Sequence, residues 1–230
     1  MVETVTPLAS LVHEKFQKPR IQFISLYNLP PSEKQEIAEK INARNGTCQM
    51  WIHTHHQEDD AITVKEREEE IYEYRSKRNL LIEKSLQGEM PIIAFIPLSA
   101  DEKSSEQQMK RYQTYYEQLS GKTNGVPKIY YVNTFENDAI PCAFQSSKKQ
   151  NWDFGMPVEG ETIKEEWNCL SEVLRGIGIQ RTILSGAFYE KGVADGGIGG
   201  CVNSAQRALT ARGFQVFISN VTSPHPFKQL

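Results

Sequence analysis

Residues 181–220, RTILSGAFYEKGVADGGIGGCVNSAQRALTARGFQVFISN, constrain the fold more than any other stretch of the chain. They open on a short apolar run, cross a loop with five glycines and reach Cys201. Val202, Ala205 and Leu209 follow at helical spacing, and residues 214–219 form a second apolar run. The pattern predicts strand, loop, helix, strand. A helix between two strands returns the chain to the same end of a sheet, so the two strands are parallel and the sheet needs a helical layer.

The same stretch singles out Cys201. The first turn of a helix presents N–H groups with no intrahelical partner, at the positive end of the helix dipole. A thiolate there is favoured, which lowers the thiol pKa. Gly197, Gly199 and Gly200 let a ligand approach the main chain closely, and such N–H groups can hold an oxyanion or a phosphate. The plainer reading is that Cys201 is a small buried hydrophobe beneath an ordinary turn.

The rest of the chain alternates in the same way. Apolar runs at 21–27, 47–53, 91–98 and 128–133 read as strands. Between them lie helical patterns: residues 33–44 after Pro30 and Pro31, the charged stretch 63–87, residues 106–119 with Met109, Tyr112 and Tyr116 in one stripe, and 162–175 with Trp167, Leu170, Val173 and Leu174 on one face. This predicts an α/β fold: a doubly wound, mostly parallel sheet of about six strands with helices on both faces, a Rossmann-like three-layer sandwich. At 230 residues it reads as a single domain over 1–230. Residues 1–19 form an N-terminal arm, and 134–161 a long ordered loop over the sheet end, the end where such folds bind ligands.

Composition narrows the function. The formal charge is −3 and the pI about 6.0, with no basic footprint for nucleic acid. No apolar run approaches membrane-spanning length and the start lacks a secretory pattern. The four cysteines, Cys48, Cys142, Cys169 and Cys201, have no CxxC spacing, which argues against a zinc ribbon or disulfide framework and suggests a cytoplasmic protein. The cluster His53-Thr54-His55-His56-Gln57-Glu58-Asp59-Asp60 holds the residue types of a metal site, with His53, His55 and Asp59 the candidates. Its spacing matches no metallohydrolase motif, so it is read as a surface loop at the rim of a cleft, and neither metal nor cofactor is assigned.

Residues 170–186, LSEVLRGIGIQRTILSG, and 200–216, GCVNSAQRALTARGFQV, resemble the second half of the isochorismatase-like cysteine hydrolases, which include nicotinamidases. The shared features are a helix ending in Gly-Ile, a strand ending in Gly, and a helix that starts at Cys-Val and ends in Gly-aromatic. The resemblance is drawn mainly from residues 148–219. It implies a cysteine nucleophile, an aspartate that takes its proton and a lysine that orients the aspartate. Cys201 matches the nucleophile. The stretch KKQNWDFG at 148–155 matches the surroundings of the lysine, making Lys149, or its neighbour Lys148, the candidate. The family's aspartate closes its first strand; IQFISLYN offers Ser25 there and no acid, while PIIAFIPLSAD, taken as the equivalent strand, supplies Asp101.

The expected function is a divergent cysteine-dependent hydrolase acting on an amide, ester or vinyl-ether small molecule. Cys201, Lys149 and Asp101 are its expected catalytic groups, and Gly197, Gly199 and Gly200 its oxyanion loop. The alternative is a noncatalytic nucleotide- or phosphoester-binding module using residues 196–201. Either reading calls for a small-molecule partner, without nucleic acid or membrane, and leaves homo-oligomerisation open.

Overall fold

The computed structural model describes residues 21–52, 68–88, 90–97, 102–120, 126–134, 141, 161–186 and 201–218. Six strands are β1 (Gln22–Ser25), β2 (Thr47–Ile52), β3 (Ile92–Pro97), β4 (Lys128–Thr134), β5 (Arg181–Gly186) and β6 (Gln215–Ile218). Five helices connect them in alternation: α1 (Pro31–Asn42), α2 (Glu68–Leu86), α3 (Glu102–Leu119), α4 (Glu161–Gly176) and α5 (Cys201–Thr210). The strands form one sheet in the order β1-β4-β3-β2-β5-β6, and every pairing between them is parallel. An isolated antiparallel bridge from Thr134 to Pro141 lies outside the sheet proper. This is the doubly wound α/β sandwich that the alternating pattern predicts.

Each sheet face has its own core, because successive strand residues point to opposite sides. On one face Cys48, Met50 and Ile52 of β2, Phe95 of β3 and Leu184 of β5 pack under α1, α4 and α5, which contribute Ile37 and Ile41, Trp167 and Leu170, and Val202, Ala205 and Leu209. Phe95 and Trp167 meet with ring centroids 6.2 Å apart. On the other face Trp51, Ala94, Ile96 and Ile129 pack under α2 and α3 through Ile82, Leu86, Tyr112 and Tyr116. β3, buried on both sides, is an unbroken apolar run for that reason.

Polar groups fasten the amino ends of the strands. The Gly46 carbonyl accepts hydrogen bonds from the backbone N–H groups of Gln180 and Arg181, both at 2.9 Å, which ties the start of β2 to the start of β5. Gly46 has φ of 72°, and a Cβ there would lie 3.1 Å from the Gly178 carbonyl oxygen. Lys128 at the start of β4 donates to Glu33 at 2.9 Å and also to Glu36, both on the first turns of α1. The arrangement holds Glu36 below the usual carboxylate range, chiefly through the Lys128 hydrogen bond and then that of Lys40, and holds Lys128 above the usual ammonium range through Glu36.

One boundary differs from the sequence expectation. The first strand stops at Ser25, and Leu26–Asn28 turn into a single 3-10 turn with Leu26 buried. Of the charged stretch expected to be helical, α2 is described from Glu68, and residues 63–67 lie outside the described residues.

Candidate functional site

Two strand exits define the site. From β2 the chain crosses through α2 to β3 and through α3 to β4, stepping toward one edge across one face; from β5 it crosses through α5 to β6, toward the other edge across the other face. The direction of winding therefore reverses between β2 and β5. In open α/β sheets that reversal leaves a crevice at the carboxyl ends of the two strands, because the helices that would cover it diverge.

The two exits touch. Ile52, the last residue of β2, is the register partner of Gly186, the last residue of β5. Gly186 has φ of 128°, and a Cβ on it would fall 2.3 Å from the Ile52 carbonyl oxygen and 3.0 Å from its carbonyl carbon. Only glycine fits, on both conformational and steric grounds. Beneath this contact, on the α2–α3 face, the buried Gln49 side-chain amide donates to the Ser185 hydroxyl at 2.6 Å and links the strands a second time. Sequence reasoning did not assign a role to Gln49, Ser185 or Gly186. The available signals were a glutamine inside the apolar run TCQMWI and a glycine at a strand end.

Helix α5 starts at this end of the sheet. Gln215, the first residue of β6, pairs with Arg181, the first residue of β5, so the carboxyl end of α5 lies at the strands' amino ends and its amino end lies by the crevice. Val202, Ala205 and Leu209 are fully buried and fix the helix on the sheet. Arg212, just past the helix, donates to the Ala208 and Lys164 carbonyls and to the Asn168 side chain, pinning α5 to α4. Cys201 is the first residue of α5, as the spacing predicts. No acidic residue occupies the first turn, so nothing there opposes a thiolate.

The other expected site residues lie outside the described residues, but their places in the chain are informative. His53, His55 and Asp59 follow β2; Asp101 follows β3 and immediately precedes α3; Lys149 lies between β4 and α4; Gly197, Gly199 and Gly200 lie between β5 and α5. All of them therefore stand in segments that leave the carboxyl ends of four neighbouring strands. Ser25 does not share this position: β1 lies at the sheet edge beside β4, with three strands between it and β5. Ser25 therefore stands apart from those four exits. Among the described residues, no group of three or more potential metal ligands occurs.

Two other cysteines are described, and both differ from Cys201 in place. Cys48 is fully buried in β2, and burial drives its thiol pKa far upward. Cys169 in α4 is half-buried, and its thiol is also pushed up, by burial first and then by Glu166 and Glu172. An open cavity of about 320 Å³ lies at the opposite end of the sheet, lined by Arg175, Gly178, Gln180 and Phe214 among others. Arg175 lies over the Phe214 ring at 5.3 Å and donates to the Arg212 carbonyl, so this cation already serves the α4–α5 joint. The carboxyl ends, where the winding reverses, are the candidate site.

The sequence matches no protein-family model and no curated protein. Among solved structures, the chain is similar to an isochorismatase from Pseudomonas putida KT2440, at 11% identity and a TM-score of 0.40, over 80% of this chain and 78% of the other. It is similar to the nicotinamidase PncA from Bacillus subtilis at 14% identity and a TM-score of 0.42, over 78% and 88%. A nicotinamidase from Staphylococcus aureus aligns at 13% identity and a TM-score of 0.35, over 80% and 87%.

Proposed function

We propose that the chain is a divergent cysteine-dependent hydrolase that opens an amide, ester or vinyl-ether bond of a small molecule through Cys201. The observation that carries this reading is the position of Cys201 as the first residue of α5, a helix that starts beside the β2–β5 crevice. For an amide, the Cys201 thiolate adds to the carbonyl carbon and the carbonyl electrons move onto oxygen. Backbone N–H groups of the α5 first turn, with the loop of Gly197, Gly199 and Gly200, would hold that oxyanion. As the carbonyl re-forms, the C–N bond breaks and the amine departs with the proton taken earlier from the thiol; water then cleaves the thioester to release the acid. Lys149, from the segment after β4, favours the anionic groups. The proton acceptor comes from the neighbouring exits, either Asp101 after β3 or a histidine after β2. A phosphate-binding module would use the same helix start without the thiol.

The test is the pH dependence of alkylation by iodoacetamide, read cysteine by cysteine. Cys201 is expected to titrate well below the free-thiol value of about 8.5, with Cys48 and Cys169 unreactive at neutral pH. If Cys201 reacts no faster than those two, the hydrolase reading fails. Stabilisation of that protein by phosphate-bearing ligands in a thermal-shift assay would then support the binding module.

A further inference from the structure

We infer that two copies of the chain pair through β6, antiparallel about a two-fold axis at Phe217, so that the six-stranded sheet continues from one copy into the other. The inference is independent of the chemistry proposed for Cys201.

The two edges of the sheet differ. β1, at one edge, follows Lys18, Pro19 and Arg20 in the chain, and charge and proline are means by which proteins discourage edge pairing. Its Phe23 is taken up in the packing of its own chain, with ring centroids 5.7 Å from Tyr116 and 6.2 Å from Tyr131. β6, at the other edge, lies in a stretch with no Asp, Glu, Lys, Arg or Pro from Gly213 to Ser223. Among the described residues nothing pairs with its outer side. Val216 and Ile218 turn toward the α1–α4–α5 core, so Phe217 turns to the face of α2 and α3. Those two helices cover the sheet only as far as β2, since no described residue of β5 or β6 belongs to their core. Phe217 is accordingly 55% exposed, and its register neighbour on that face, Ile183, is half-buried.

Backbone geometry selects a second copy as the occupant. The Gln215 N–H donates to the Gln180 carbonyl at 3.0 Å, so Gln215 and, two residues on, Phe217 turn their backbone groups toward β5. Val216 and Ile218 turn theirs to the open edge. Such a strand is its own complement. About a two-fold axis, Val216 meets Ile218 of the second copy and Ile218 meets its Val216, each pair exchanging two N–H···O=C bonds. Phe217 then stands on the axis opposite Phe217 of the second copy, in the non-hydrogen-bonded pair, where Cα atoms are about 4.5 Å apart and side chains are closest. Aromatic pairs across strands are favourable, and an uncharged strand brings no like charges together. Two strands of 4 residues bury well under the roughly 1,000 Å² of a stable interface, so the pairing is reversible and follows protein concentration.

The test is sedimentation velocity on the full chain over a series from about 5 to 500 μM, where the mean mass is expected to rise from monomer toward dimer. Phe217→Lys sets two ammonium groups opposite each other on the axis and is expected to hold the chain monomeric throughout. The position is exposed, so the fold is kept and the fully buried Cys48 stays protected from iodoacetamide. Amide hydrogen exchange locates the contact. Val216 and Ile218 are expected to exchange several-fold more slowly at the high concentration, while Phe217, already paired to β5, does not change. A wild-type chain that is monomeric at every concentration overturns the inference, as does a dimer that survives Phe217→Lys with Cys48 protected. Should Phe217→Lys expose Cys48, exchange in the wild-type protein decides: slowing at Val216 and Ile218 with concentration upholds the pairing, and its absence overturns it.

Discussion

The two ends of the parallel sheet are built on opposite plans. At the amino end Lys128 holds Glu33 and Glu36, Gly46 holds Gln180 and Arg181, and Arg212 closes the α4–α5 joint, so backbone and charge are mutually satisfied across β2, β4 and β5. At the carboxyl end β2 and β5 meet through a glycine against a carbonyl and one buried side-chain hydrogen bond, and the helices that follow them go to opposite faces. The comparison teaches a division of labour. The amino end secures strand order, and the carboxyl end is where the winding reverses, the place at which open α/β sheets bind ligands.

Three substitutions separate the ends by size of effect. The largest is expected at Gly186→Ala, where a Cβ must displace the Ile52 backbone and the residue must keep a φ that side chains avoid; urea unfolding should show a loss of about 4 kcal/mol. A variant within about 1 kcal/mol of wild type would mean that the two exits do not touch. Ser185→Ala comes next. It leaves the buried Gln49 amide without its acceptor and is expected to cost about 2 kcal/mol, with Gln49→Leu in the same background recovering part of the loss. No recovery would show that the pair does not bind the strands through that hydrogen bond.

The smallest effect is expected at the amino end. Lys128→Met is expected to cost no more than about 1 kcal/mol near neutral pH, because Glu36 is more than a third exposed and solvent screens the pair. Its pH window follows from the signs. Glu36 titrates below its unfolded value, so its share is present above about pH 4.5 and is lost as pH falls through the folded value. Lys128 titrates above its unfolded value, so its share is complete below about pH 10.5 and is lost as pH rises through the folded value. The difference between wild type and Lys128→Met should therefore be flat between those limits and shrink outside them; a constant difference from pH 3 to 11 would remove the ion pairs from the account.

Much of the fold was legible along the chain. The apolar stripe of Trp167, Leu170 and Leu174 specifies α4, the all-apolar run IIAFIP a strand buried on both faces, and the glycine-rich loop before Cys201 the start of α5. These features are local: a side chain's period along its own element decides which face it presents, whatever lies opposite. The sequence by itself also specified Cys201 as a helix start, since glycines followed by a periodic apolar stripe leave few other places for the helix to begin.

Strand order was not legible, because periodicity records a face and not a neighbour. Three consequences waited on the tertiary structure. β1 lies at the edge beside β4, which removes Ser25 from the site. β2 adjoins β5, so the histidine cluster, and not the segment holding Asp101, continues the strand beside the one that leads to Cys201. Gly186 lies against Ile52, a contact between residues 134 positions apart that no local pattern encodes. The physical reason is common to all three: propensity and burial act on each segment alone, whereas the pairing of parallel strands is decided by how the crossover helices pack on two faces at once.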